Sequence, residues 1–274
     1  MAGCQSIISS PAEKEHGLPI TVAITGGAGQ IGSALRAGLA REDFCIRAID
    51  LVPITDGATE DDARLVDLRD ASATQSTLQG SDAIVHLAAH PTEATFEEIH
   101  QSNVLTTYNV YEAARHLGIK RIVFASTVHV SGFYPWGRST SPSDAPRPDT
   151  HYALSKLYGE GLGSMYADRY GLEIVNLRLV GFSLEPTEPA HLWGWLSPGD
   201  TVRLVTAALT APSVHIVTCY GLSRNTRRFY TDDGWAELGY DPQDDAEQFA
   251  HWWPDAAPPE LQGMTFTDPN YFGD

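Results

Sequence analysis

The chain has 274 residues, 42% of them hydrophobic, enough for one domain or a domain with a small lobe around a sizeable core. Its 35 acidic and 18 basic side chains leave a formal charge of −17, which argues against nucleic acid and anionic membranes, since both call for basic patches. No apolar run approaches the roughly 18 to 20 residues of a membrane span. Residues 1–18 lack a secretory signal's basic start and apolar run and read as a flexible tail, and Cys4, Cys45 and Cys219 are too few and too scattered for a disulfide framework or a zinc site, so a soluble cytoplasmic protein without a metal is expected.

The first predicted strand, Ile20 to Ile24, runs into Thr25-Gly26-Gly27-Ala28-Gly29-Gln30-Ile31-Gly32. Glycine suits a tight turn at 26, backbone approach to a pyrophosphate at 29, and close packing of the next helix at 32. A helix over Ser33 to Ala40 and a strand over Phe44 to Ile49 give the loop its context, and the helix N-terminus supplies an anion site. Asp50, 24 residues after Gly26, closes the second strand, where a carboxylate accepts from an adenosine ribose and repels a 2′-phosphate. NAD is therefore expected, with Arg47 and Arg69 leaving NADP open.

A short third strand is predicted over Arg64 to Leu68, and a fourth over Ala83 to Ala89, whose small terminal residues let a cofactor lie close. Apolar residues at helical intervals from Thr95 to Leu117 precede a fifth strand, Arg121 to Ser126. The alternation implies an α/β Rossmann-type doubly wound parallel sheet, with ligand outside the carboxyl ends of its strands. Cofactor contacts are expected at Gly26, Gly29, Gln30, Ile31, Gly32, Asp50, Leu51, Asp67, Leu68, Leu87, Ala88, Ala89 and Asn103. Ser126-Thr127-Val128-His129 emerge at the same edge, where substrate belongs.

Tyr152 and Lys156 stand four residues apart on one face of the next predicted helix. A tyrosine hydroxyl titrates near about 10, and a neighbouring ammonium with a cationic nicotinamide is expected to lower that value and make a phenolate base. Strand Ile174 to Leu179 follows. An irregular segment to about Asp200, a helix over Thr201 to Leu209, a strand over Val214 to Cys219 and a terminal segment Ala246 to Trp253 then read as a small C-terminal substrate lobe. The expected division is 1–18 tail, 19–180 dinucleotide-binding domain and 181–274 lobe.

The glycine loop, His86-Leu87, Asn109 to Arg115, Arg121 to Ser126, His129, Gly132-Phe133-Tyr134-Pro135, Arg147-Pro148-Asp149, Glu185-Pro186 and Leu238 to Pro242 resemble an extended short-chain dehydrogenase/reductase over roughly residues 19 to 255. Within that superfamily they look most like uronate dehydrogenase, which oxidises C1 of a cyclic sugar acid to a lactone. The resemblance implies Tyr152 as general base, Lys156 as ribose ligand and tyrosine activator, and Thr127 as the hydroxyl that orients the C1 oxygen. Ser126 is a second candidate hydroxyl, with support of the strand end as its other role. A small-molecule sugar partner and a homo-oligomer are implied too.

Three departures bear on the sugar. The family's carboxylate-gripping arginine after Glu-Pro is missing from Thr187-Glu188-Pro189-Ala190-His191-Leu192-Trp193, Val128 replaces an asparagine, and Pro91 beside His90 replaces a serine. An isolated buried carboxylate is costly, so a neutral aldose such as L-arabinose is the expected substrate, with His90, Val128, His129 and His191 as candidate contacts. A uronate is the alternative, with His191 as its cation. Two other readings stay open: a nucleotide-sugar epimerase or dehydratase, disfavoured by Val128-His129 where dehydratases carry Asp-Glu, and a dinucleotide sensor that binds NAD without turnover. Lysine occurs only at 14, 120 and 156, which fits a salt-rich cytosol or an arginine-biased genome.

Overall fold

Val22, Ala23 and Ile24 are fully buried because β1 (Thr21–Thr25) is covered on both faces, as a central parallel strand must be. A computed structural model describes residues 20–42, 44–55 and 62–271; the expected tail over 1–18, with Cys4 and Lys14, lies outside the described residues. The other strands of the main sheet are β2 (Cys45–Asp50), β3 (Asp62–Leu65), β4 (Ala83–His86), β5 (Arg121–Thr127), β6 (Glu173–Leu179) and β9 (Ile216–Gly221). They pair in parallel in the order β3-β2-β1-β4-β5-β6-β9. The order reverses between β1 and β4, the switch point where such sheets bind ligand.

Helices cover both faces. On one, α1 (Gln30–Leu39) and α6 (Pro198–Thr210) bury Leu35, Leu39 and Leu204 against Val22 and Ile24. On the other, α4 (Thr106–Leu117) and α5 (His151–Tyr170) bury Val110 and Tyr166 against Ala23, Ile84, Ile122 and Ile174. Gly38 lets α1 approach α6, since a Cβ there falls 2.2 Å from Val202 Cγ2. A two-stranded pair, β7 (Gly181–Phe182) and β8 (Trp195–Leu196), lies beside the sheet.

Several expectations need correction. The strand expected in a C-terminal lobe is β9, the seventh strand of the main sheet, and α6 rests on α1, so residues 198–221 complete the doubly wound layers. The third strand runs Asp62–Leu65, because Asp67 accepts from Arg69 N and turns the chain, and Asp70 then caps α2 (Ala71–Leu78), a helix not anticipated. The fourth strand stops at His86. The expected helix over 95–117 is three pieces: α3 (Phe96–Ile99), opened by a Thr95/Glu98 capping box, a π-helical turn over His100–Leu105, and α4.

Candidate active site

The glycine loop joins β1 to α1 at the switch point. Gly26 sits at φ +75°, and a Cβ there falls 2.8 Å from Ala88 N; one on Gly32 falls 2.2 Å from Gly26 O. Gly29 precedes α1 without a side-chain cap, which leaves the first-turn N–H groups, beginning at Gln30, Ile31 and Gly32, suited to an anion. Asp50 ends β2 with Oδ2 accepting from Ala28 N (2.9 Å) and Oδ1 from Val52 N (3.1 Å), which fixes the carboxylate beside the loop. This cradle fits a dinucleotide.

The rest of the rim is mixed. Leu51 is exposed beside Asp50, Leu68 is buried, and Asp67 is paired with Arg69 at 2.6 Å. Arg47 is bound to Asp62, Thr77 O, Gln79 O and Ser81, so its guanidinium is committed to the end of α2 rather than to a 2′-phosphate. Leu87 and Ala89 line the cavity, and Ala88 N donates to Thr25 Oγ1. Buried His86 ties β1 to α4 through Thr25 (2.7 Å) and Thr107 (3.1 Å); burial, then the Lys156 charge, pulls its pKa to about 3.

Asn103 stands in the π turn with its amide fully used. It donates to His90 O and Ser155 Oγ, and accepts from His90 N and Ser102 Oγ. It therefore braces the β4 loop against α5 and has no hydrogen-bonding capacity left for a cofactor. His90 turns its ring to Thr92 O and does not line the cavity; Pro91 does.

The cavity, about 460 Å³, is of a size to admit a small ligand. Tyr152, Lys156, Thr127, Val128, His129 and His191 all line it. Tyr152 enters from the first turn of α5, which Thr150 caps through Ala153 N. Glu93, which the sequence reading missed, accepts from Tyr152 N (3.0 Å) and meets His151 Nδ1 (2.8 Å), locking the helix start. Lys156, one turn on, lies 5.8 Å from the Tyr152 ring centroid and 5.2 Å from that of Phe124.

Electrostatics of the bare chain run against the expected lowering of Tyr152. Burial pushes its pKa up to about 12, a hydrogen bond with Thr127 pulls it back, and Asp149 raises it further. Burial also pulls Lys156 down to about 8. A low dielectric penalises both charges, so the phenolate needs positive charge beyond that of Lys156.

Ser126 lines the cavity too, but its hydroxyl is committed: it donates to Glu160 Oε1 at 2.5 Å, and Glu160 pairs with Arg178 at 2.8 Å. The neighbouring hydroxyl, on Thr127, is the one that offsets part of the upward pKa shift of Tyr152. His191 accepts from Thr187 N at Nδ1 (3.1 Å), with Glu188 3.6 Å from Nε2. His129 is held by Asp149 at 2.8 Å and stacked on Phe266, with ring centroids 4.0 Å apart. Glu160 and Phe266 escaped the sequence reading, and Asp149 was noted there only as part of a motif, because only folding brings them to the strand ends.

Residues 22–197 match the family described as NAD-dependent epimerase/dehydratase. The chain is 38% identical over 227 residues to uronate dehydrogenase of Pseudomonas putida, covering 82% of this chain and 85% of that one. It is 35% identical to the L-arabinose 1-dehydrogenase (NAD(P)(+)) of Haloferax volcanii, covering 82% and 97%. It superimposes on a mutant uronate dehydrogenase from Agrobacterium tumefaciens complexed with NAD, with a TM-score of 0.87, 35% identity, and coverage of 93% and 99%. With the glycine cradle, the switch-point cavity and the Tyr152/Lys156 pair in place, the chain belongs to the NAD-dependent epimerase/dehydratase family.

Proposed function

We propose that this chain is an NAD-dependent sugar 1-dehydrogenase that oxidises C1 of a cyclic sugar to its lactone. The observation that carries the reading is the convergence of Tyr152, Thr127 and Lys156 on one cavity beside the glycine cradle. Gly26, Gly29, Gln30, Ile31, Gly32, Asp50 and Leu87 to Ala89 hold the cofactor, with Leu51, Asp67 and Leu68 at its adenine end. NAD, when bound, supplies a cationic hydride acceptor. Tyr152 takes the proton of the C1 hydroxyl, Thr127 orients that oxygen, and Lys156 favours the phenolate. Asp50 disfavours a 2′-phosphate, so Asp50→Ala is expected to lower the ratio of NAD to NADP efficiency.

The relatives put a uronate first, because uronate dehydrogenases stand among the sequence and the structural neighbours alike. That reverses the order expected from the missing arginine. A neutral aldose such as L-arabinose is the second reading, favoured by the cavity wall: among the described residues lining it, Lys156 is the only Lys or Arg, Ala190 stands after Glu-Pro, and Glu188 adds negative charge. To meet a carboxylate as a cation, His191 has to give up its bond from Thr187 N, because that bond uses the Nδ1 lone pair. Initial rates of NAD reduction with L-arabinose, D-xylose, D-galactose, D-glucose, D-glucuronate and D-galacturonate separate the two; NAD binding with no turnover on any sugar leaves the sensor reading instead.

None of the helices among the described residues is long and apolar enough to cross a membrane, in keeping with a soluble cytoplasmic enzyme. Exposed Tyr108, Leu154, Tyr158 and Met165 on α4 and α5 support association between copies. Sedimentation velocity tests it.

A further inference from the structure

Asp149 lies in the loop before α5 with its side chain fully buried. Its Oδ1 accepts from Thr150 Oγ1 (3.0 Å), and its Oδ2 meets His129 Nδ1. Two glycines make room for it: a Cβ on Gly132 falls 1.9 Å from Oδ2, and one on Gly263 falls 2.1 Å from it. A carboxylate accepts, so Nδ1 of His129 carries a proton, and in the neutral imidazole Nε2 is left as an acceptor. Nε2 has no hydrogen-bond partner among the described residues, and the ring lines the cavity, edge-on to Tyr152 at 6.4 Å.

The other constraint on that ring comes from more than 100 residues away. Phe266 covers the imidazole at an interplanar angle of 27° and is itself backed by Tyr271 at 4.5 Å. Its segment is clamped to the loop that carries His129: Gly263 N donates to Gly132 O and Gln262 N to Tyr134 O, both at 2.9 Å, while the Gln262 amide donates to Thr140 Oγ1 at 2.8 Å. Met264, in the same segment, is the only non-glycine at positive φ (51°) among the described residues, and it lines the cavity. Strain of this kind persists where surrounding bonds over-determine the backbone, and it gathers at functional sites.

We propose that Asp149 and Phe266 are positioning residues that hold His129 with Nε2 presented to the substrate, so that the C-terminal segment 261–268 completes the sugar site. This rests on the reading that the cavity takes a sugar beside Tyr152. The ring then accepts from a sugar hydroxyl in one orientation and one tautomer. Losing either clamp frees it to rotate.

The test is made on the full chain, with spectra recorded at saturating NAD and kinetics with each substrate varied in turn. Two-bond ¹H–¹⁵N spectra of the imidazoles, assigned with His129→Gln, are expected to show His129 as the Nδ1–H tautomer and to lose that pattern in Asp149→Ala and Phe266→Ala. In both variants KM for the sugar is expected to rise about tenfold or more while KM for NAD stays within about twofold. Asp149→Asn, which keeps an acceptor, and Phe266→Tyr, which keeps the ring, are expected to restore most of the spectrum and the affinity, and they carry the test where an alanine variant unfolds. An unchanged His129 pattern, or parallel rises in both KM values, overturns the proposal. A wild-type enzyme that oxidises no sugar overturns the functional reading and the sugar role with it, while the imidazole spectra still decide the clamp.

Discussion

Tyr152 stays protonated at neutral pH as the chain alone presents it, with a pKa pushed up to about 12 by burial. Removing its hydroxyl leaves the cradle intact, so Tyr152→Phe is expected to lower turnover by about 10²- to 10⁴-fold while NAD binding, followed by calorimetry, is retained. His86 makes a second, independent prediction. Its folded pKa is about 3 against the ordinary 6.5 of a histidine, so between those limits the unfolded chain binds a proton that the folded one refuses. Its stabilising contribution is full above pH 6.5 and is lost as pH falls toward 3. His86→Asn is therefore expected to show a shallower fall of Tm with acid than the parent, as read by thermal melts across that range. At this scale the Tyr152/Lys156 pair could be read from local spacing and Thr127 from a family resemblance, and the fold brings all three to one cavity. The committed hydroxyl of Ser126 and the saturated amide of Asn103 were not legible, because their partners, Glu160 and His90, are 34 and 13 residues away.

The turn from β1 into α1 is the element with least tolerance. A methyl on Gly32 meets backbone oxygen rather than a flexible side chain. Gly32→Ala is therefore expected to weaken NAD binding and destabilise the fold by about 1–3 kcal/mol, checked by urea unfolding with and without NAD. Short apolar runs such as β1 and β5 were legible within a residue or two, whereas the helix that carries Tyr152 was expected without bounds. The π turn at His100–Leu105 was not legible: its apolar spacing resembles that of the flanking helices, and what widens it is the set of bonds Asn103 makes to two other elements. The end of β3 was misplaced because a local turn, in which Asp67 holds the backbone and guanidinium of Arg69, ends the strand before Leu68.

For the whole molecule, a formal charge of −17 makes the folded state repel itself. Raising KCl from about 0.1 M to about 1 M shortens the screening length from about 10 Å to about 3 Å, and Tm is expected to rise with it. Activity that holds or climbs over the same range supports a salt-rich cytosol, and a steady fall supports arginine bias. The fold class and the dinucleotide site were written in the chain because each depends on neighbours in sequence: hydrophobic period, glycine spacing, and a tyrosine one helical turn from a lysine. The placement of β9 in the main sheet, the burial that drives Tyr152 and Lys156 away from charge, and the meeting of His129, Asp149 and Phe266 depend on long-range packing. Such packing sets dielectric, pairing and orientation together, and no local pattern of residues encodes it.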